Sequence, residues 1–231
     1  MMGGRWHLFA PEGHAGAELI AAIYHWRGVG LHRHVAPQDS GFALQPPGAG
    51  APALRDAGTS LRALPGGLEP GAETLCALSL SALERLEALI PARFPADLDL
   101  KVFALRQELT RLQRIVQQNT DFAAESLHQI ALAPLLWRLG LVDESLGLFL
   151  LTGFDSLSAL RARLLSEPVF AARYTAQARH RYQLWLQSLR GAAVDQTDWE
   201  RALGPGGREK TLLSGIVKTE IPSIGSGPRF R

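Results

Sequence analysis

"SLHQIALAPLLWRLG", residues 126–140, is the stretch on which the fold turns. Ser126 stands three positions before Gln129, the spacing of a capping box: the hydroxyl takes the third amide and the Gln side chain returns to the cap. Behind that start the chain is apolar on nearly every side, the pattern of a helix buried at the centre of a helical domain. Pro134 lies inside it and removes one backbone hydrogen bond, a cost of about 3 kcal/mol unless the surroundings absorb it. Arg138 stands among these apolar residues, where a buried charge requires a partner, so a structural ion pair is expected there.

Helical patterns flank this stretch on both sides. Upstream, Leu75, Leu78, Ala82, Leu83, Leu86, Leu89 and Ile90 form one amphipathic stripe that ends at Pro91. Leu98, Val102, Leu105, Leu109, Leu112 and Val116 follow at steps of four and three, a narrow seam suited to one neighbouring helix. The short connection "PARFPAD" predicts that the two run antiparallel. Cys76, beside the first stripe, reads as a buried small residue. Downstream, Asp155 is placed to cap "SLSALRARLLSEP", and a last helix from about Pro168 to Arg190 carries Tyr174, Tyr182 and Trp185.

The first third of the chain has another texture. "RWHLFAP" is a short strand-like run, residues 14–27 repeat Leu19, Ile20, Ile23 and Trp26 at helical spacing, and "LHRHVAP" alternates Leu31, Arg33 and Val35. Strand, helix and strand in some thirty residues make a βαβ unit with parallel pairing. "APALRD" and "TSLRAL" are read as two further short strands across the turn "DAG". The division expected is a small α/β domain over 1–68, an all-helical domain over 69–190 and an extension over 191–231. In that extension "TLLSGIVKTEIPSI" has the apolar content of a docking segment.

Composition narrows the function classes. The chain has 231 residues, 46% of them hydrophobic, and a formal charge of +2. Basic residues alternate with acidic ones instead of gathering on one face, which argues against direct nucleic-acid binding. One cysteine permits neither an internal disulfide nor a multi-cysteine metal site, and a reducing, cytoplasmic location is expected. The most apolar run, "LGLFLLTGF", is too short for a bilayer, which takes ~20 residues. His7, His25, His32 and His34 have no Cys, Asp or Glu close by in sequence to complete a tetrahedral set, so no metal site is expected.

Three stretches, in order, resemble the glutathione transferase family. "LQPPGAGAPAL" resembles its loop and Val-Pro strand, with Pro52 at the position of the cis-proline. Residues 126–140 resemble its Ser-x-x-Asp box and central helix, with Gln129 in place of Asp. "FDSLSALRARLLSEPVF" resembles its following helix. The resemblance implies a thioredoxin-like domain followed by an all-α domain, with glutathione as the family's ligand. Ala51 and Pro52 would be the remaining frame of its site.

The chemistry of that site is not carried over with the frame. The family holds glutathione as thiolate with a hydroxyl or thiol at the start of the first helix. Here that turn reads "APEGHAGAEL", and only His14 falls near the expected position. A neutral imidazole can donate one hydrogen bond, but a turn or cap role is the simpler reading. The basic residue before the Val-Pro strand becomes Ala49 or Gly50. The Glu-Ser pair, which receives the γ-glutamyl end at a helix N-terminus, aligns with Ala63 and Leu64, so the third helix of the domain reads as lost to "PGGLEP". Loss of a helix leaves a sheet face for a partner protein or for residues 208–231 to cover.

These readings predict a non-catalytic, transferase-like protein, with no bound cofactor, that acts through a protein partner. Within the family "ALAPLLWRLG" most resembles the stringent starvation protein A group, transcription regulators that bind RNA polymerase. That group's proline-histidine-proline motif has no counterpart here. The resemblance also implies a homodimer or heterodimer across the helices around Leu78–Ile90 and Leu98–Val116. The alternatives are a divergent glutathione transferase, and a small-ligand binder using the cleft between the two halves.

Overall fold

A computed structural model describes residues 5–191, except 39, 49, 70, 93 and 119–125. Residues 192–231, and with them "TLLSGIVKTEIPSI" and nearly all of the expected extension, lie outside the described residues.

The βαβ unit forms as its periodicities dictate. β1 (Trp6–Ala10) pairs in parallel with β2 (Leu31–Val35), from Trp6 opposite Leu31 to Ala10 opposite Val35, and α1 (Ala15–Trp26) is the crossover. β3 (Ala43–Gln45) runs antiparallel on the other edge of β1, giving the order β2-β1-β3. Alternation sends Trp6, Leu8, Ala10 and Leu44 into the core. His7, Phe9 and His32 turn to the opposite face.

The segment after β3 departs from the expectation. "APALRD" contributes one bridge, Leu54 to Leu44, with both amide–carbonyl bonds at 2.8 Å. "TSLRAL" is not a strand: α2 (Ala57–Arg62) is a six-residue helix. The Asp56 carboxylate accepts from the Thr59 amide at 2.7 Å, and Ala57, Leu61 and Leu64 bury one helical stripe at i, i+4 and i+7. The helix read as lost is therefore kept in short form, and the turn "PGGLEP" follows it. The domain is reduced elsewhere, since residues 36–42 between β2 and β3 contain no described helix. Tyr24 of α1 donates to the Ser60 carbonyl at 3.0 Å, which ties α2 to the α1 side of the sheet.

In the helical half the apolar seams are used up within the chain. α3 (Ala72–Leu89) packs on α4 (Pro95–Gln118) through Leu83, Leu86, Leu105, Leu109 and Leu112, all fully buried. α5 (Leu127–Leu146) lies beneath both halves, against α1, α3 and α6 (Asp155–Ser166), and is buried at every residue from Leu127 to Val142 except His128. Ser126 is its cap residue, but the hydroxyl makes no capping hydrogen bond, and the Gln129 amide goes to the Ser126 carbonyl at 3.0 Å. The predicted box is thus not formed.

The helix passes through Pro134 unbroken, and neighbouring helices donate to carbonyls on both sides of it. The Ser79 hydroxyl of α3 donates to the Ala131 carbonyl at 2.6 Å, and Arg161 Nε of α6 donates to that of Leu136 at 3.1 Å. Gly140 permits this crossing, since a Cβ there would lie 2.0 Å from the Arg161 guanidinium. The run "LGLFLLTGF" turns from α5 to α6, with the Leu150 amide held by the Asp143 carboxylate at 2.7 Å. α6 is capped by Phe154, with Asp155 inside its first turn. The expected last helix is two: α7 (Pro168–Arg173) stops at Tyr174, and Thr175 Oγ1 accepts from the Ala178 amide at 3.2 Å to start α8 (Ala176–Gly191).

The two halves meet at the β1–α1 turn. Gly13 has φ +79°, and a Cβ on it would lie 2.3 Å from the indole of Trp185 in α8. Gly13→Ala therefore meets both a left-handed backbone and a ring, and is expected to cost about 3 kcal/mol in urea unfolding. An unchanged midpoint would show that the turn does not rest on Trp185.

Candidate functional site

The start of α1 lies where the sequence placed the glutathione-type site. His14 caps the helix: its Nδ1 accepts from the Ala17 amide at 3.4 Å, and its ring stacks on Phe42 at 5.6 Å between centroids. An accepting Nδ1 must be unprotonated. Burial, with the Arg138 charge next in weight, holds the His14 pKa below the usual imidazole value. The imidazole is thus used in the turn itself, as the simpler reading had it.

The frame around Ala51 and Pro52 is occupied by the chain in a similar way. The Gln45 side chain donates to the Ala51 carbonyl at 2.5 Å. Among the described residues no peptide bond is cis, so the family's cis-proline geometry is not reproduced at Pro52. The Glu-Ser alignment also changes. Ala63 is the C-terminal cap of α2 and Leu64 is buried, whereas the helix N-terminus lies at Asp56, whose own carboxylate fills it. An anion arriving there meets a negative charge instead of free amides.

A second constellation lies between the halves, and the sequence reading found only one member of it. Arg138 of α5 is 1% exposed; its Nη1 bonds Glu87 Oε1 of α3 at 2.8 Å, and its Nη2 stands 3.9 Å from Glu18 Oε1 of α1. The ion pair expected for Arg138 is present. Arg33 of β2 donates to Glu18, and Arg173 Nη2 of α7 lies 3.5 Å from Glu18 Oε2. The Arg138 guanidinium also sits over the Tyr182 ring at 5.0 Å. A signal for Arg33 was present, because it shares the inward face of β2 with Leu31. Glu18 and Arg173 carried none, as each stands on a helix with exposed positions.

The two carboxylates in this cluster titrate oppositely. Burial works against the charge of Glu18, but Arg33, Arg138 and Arg173 together outweigh it and hold its pKa at about 2. Burial dominates at Glu87, where only Arg138 opposes it and Glu84 and Glu18 add repulsion, so its pKa is pushed up to about 7. Tyr182 and Tyr174, in the same apolar wall, stay protonated because burial raises both.

Three other histidines, His7, His32 and His34, gather on the open sheet face. His7 Nδ1 and His34 Nε2 are 2.9 Å apart, and Phe9 stacks on His34 at 4.4 Å. Among the described residues no three His, Cys, Asp or Glu side chains form a ligand set for a metal. The face is therefore aromatic and imidazole-bearing; Phe9 is 39% exposed on it.

No family model and no curated protein matches the sequence. The fold has clear counterparts among solved structures. A trimeric glutathione transferase of Leishmania, TDR1, superposes with a TM-score of 0.60 at 14% identity, over 82% of this chain and 49% of that one. This chain thus spans about half of TDR1. A Burkholderia graminis glutathione transferase, with two glutathione molecules per subunit, gives 0.57 at 15% identity over 73% and 87%. Ure2p in complex with glutathione gives 0.56 at 9% over 74% and 94%. The chain has the glutathione transferase fold: a thioredoxin-like sheet domain, here reduced, and a helical domain.

The cluster makes stability depend on pH in two windows. Glu18 binds its proton more weakly when folded, so its stabilisation is full above its ordinary 4.5 and is lost as the pH falls toward about 2. Glu87 binds its proton more tightly when folded, so stability declines as the pH rises from 4.5 to about 7. Unfolding measured across pH is expected to show that second decline in the wild type and not in Glu87→Gln. Glu18→Gln, which leaves three guanidiniums short of a counter-charge, is expected to cost about 3–5 kcal/mol at neutral pH.

Proposed function

We propose that the chain uses the glutathione transferase fold as a scaffold and acts by binding another protein, without transferring glutathione. The observation that carries the reading is at the first helix. No hydroxyl or thiol stands at its start, and His14, the one polar candidate, is spent on the Ala17 amide and Phe42. The internal bonds of Asp56 and of the Ala51 carbonyl support it, because they occupy two groups a bound tripeptide would need.

The partner surface in this reading is the sheet face of His7, Phe9, His32 and His34, on the side away from α2. Aromatic groups flanked by polar ones suit the core of a protein interface. RNA polymerase is the partner that the likeness of "ALAPLLWRLG" implies. Residues 131–140 are buried throughout, so that likeness supports the core of α5 and supplies no contact surface. Polymerase enters the test on equal terms with other proteins. For self-association across α3 and α4, the outward apolar residues are Phe94, Leu100 and Phe103.

The test is capture from the source cell's lysate by the full chain and by Phe9→Asp. The reading expects a stoichiometric protein held by the wild type and lost in the variant, with the melting temperature unchanged. Equal capture by both, or glutathione conjugation by the purified chain, contradicts it. A second experiment concerns oligomeric state. Sedimentation of Leu100→Glu/Phe103→Glu is expected to show a monomer where the wild type is a dimer, and identical behaviour removes α4 as the contact.

A further inference from the structure

The cavity between the two halves, about 240 Å³ in volume, is lined from five directions: the β1–α1 turn, α1, the end of α1 with β2, α5, and α7 with α8. His14, Ala51, Pro52 and α2 take no part in its wall, so it is separate from the glutathione-type frame. Among the charged groups facing it are Arg33, Arg138, Arg173 and Arg181 against Glu12 and Glu18, with His25 at one side. Glu87 is outside the lining and faces Arg138 from behind.

Two of these arginines keep donors that nothing around them accepts. Arg33 Nε and Nη2 and Arg173 Nε are buried atoms without a hydrogen-bond acceptor among the described residues, and Glu12 Oε2 stands 3.9 Å from Arg33 Nη2, beyond hydrogen-bond reach. Tyr182, a residue 4% exposed, lines the same cavity, and its hydroxyl has no such partner either. A buried donor left unpaired is costly, and more so when it is charged. Four guanidiniums facing two carboxylates compound that cost with an excess of positive charge. Planar donor forks and a hydroxyl on residues of one cavity wall are suited to an oxyanion with two or more acceptor oxygens.

We infer that this cavity is a binding site for a small organic oxyanion, whose carboxylate or phosphate group is held by Arg33, Arg173 and Tyr182. The apolar wall of Val29, Leu31 and Ala178 leaves room for a short carbon skeleton beside the charged group. The volume is below the ~300–1,000 Å³ of sites for drug-sized ligands, which limits the ligand to a small acid. The site goes beyond the protein-binding proposal and does not depend on it, since a ligand here would touch none of the residues on the open sheet face.

The test is thermal unfolding of the full chain against increasing inorganic phosphate, succinate or benzoate, at constant ionic strength made up with chloride. At least one probe is expected to raise the midpoint saturably, by about 5 °C or more once it is in large excess over its Kd. The phosphate and carboxylate arms assign the head group. Tyr182→Phe removes only the unpaired hydroxyl; it is expected to melt no lower than the wild type in chloride and to bind the effective probe roughly ten-fold more weakly. Arg173→Met is expected to abolish the shift. No saturable shift with any of the three probes, or a shift that either variant leaves intact, overturns the inference.

Discussion

Arg138 is a full positive charge with 1% of its surface exposed, in the helix on which both halves of the chain pack. A guanidinium in such a place is tolerated only when carboxylates neutralise it, and here they come from different parts of the chain: Glu87 from α3 and Glu18 from α1. Glu18 in turn draws in Arg33 from β2 and Arg173 from α7. One buried charge thus fixes how the sheet domain sits on the helical one. Hydrophobic contact between α1 and α5 supplies area but no register, whereas ion pairs between named atoms do specify one.

That constraint was partly legible. The apolar periodicity of residues 126–142 and the presence of Arg138 within it require a buried helix and a buried ion pair, and both are found. The identity of the partners was not legible, because pairing across 51 residues to Glu87, and more to Glu18, leaves no local spacing to read. α2 shows the opposite kind of failure. "TSLRAL" is consistent with a strand over a few residues, and the Asp56 cap with the stripe Ala57, Leu61 and Leu64 decides for a helix only once the core is in place. Ser126 illustrates a third kind, in which the cap position is right but the hydroxyl does not make its expected bond.

The candidate sites differ in how they were readable. Absence of a hydroxyl or thiol around His14 is a property of the sequence, and the structure adds that the imidazole is engaged locally. Gln45 donating to Ala51, and Asp56 closing its own helix end, are three-dimensional facts with the same sense: groups that a ligand would use in this fold are used by the chain. The reduction of the sheet domain falls between β2 and β3, and it leaves a face whose His7, His34 and Phe9 stack on one another. In the proposed reading, this is the face on which a partner docks.

The most direct measurement of the central claim, that the first helix no longer activates a thiol, is a titration of glutathione's thiolate absorbance with stoichiometric protein. Its outcome does not depend on whether the tripeptide's carboxylates find the arginine-lined cavity, because only the thiol is observed. The account predicts that the thiol titrates as it does free in solution, with no thiolate drawn out near neutral pH. A thiolate that forms there in the presence of the protein, and disappears on substitution of His14, would contradict it.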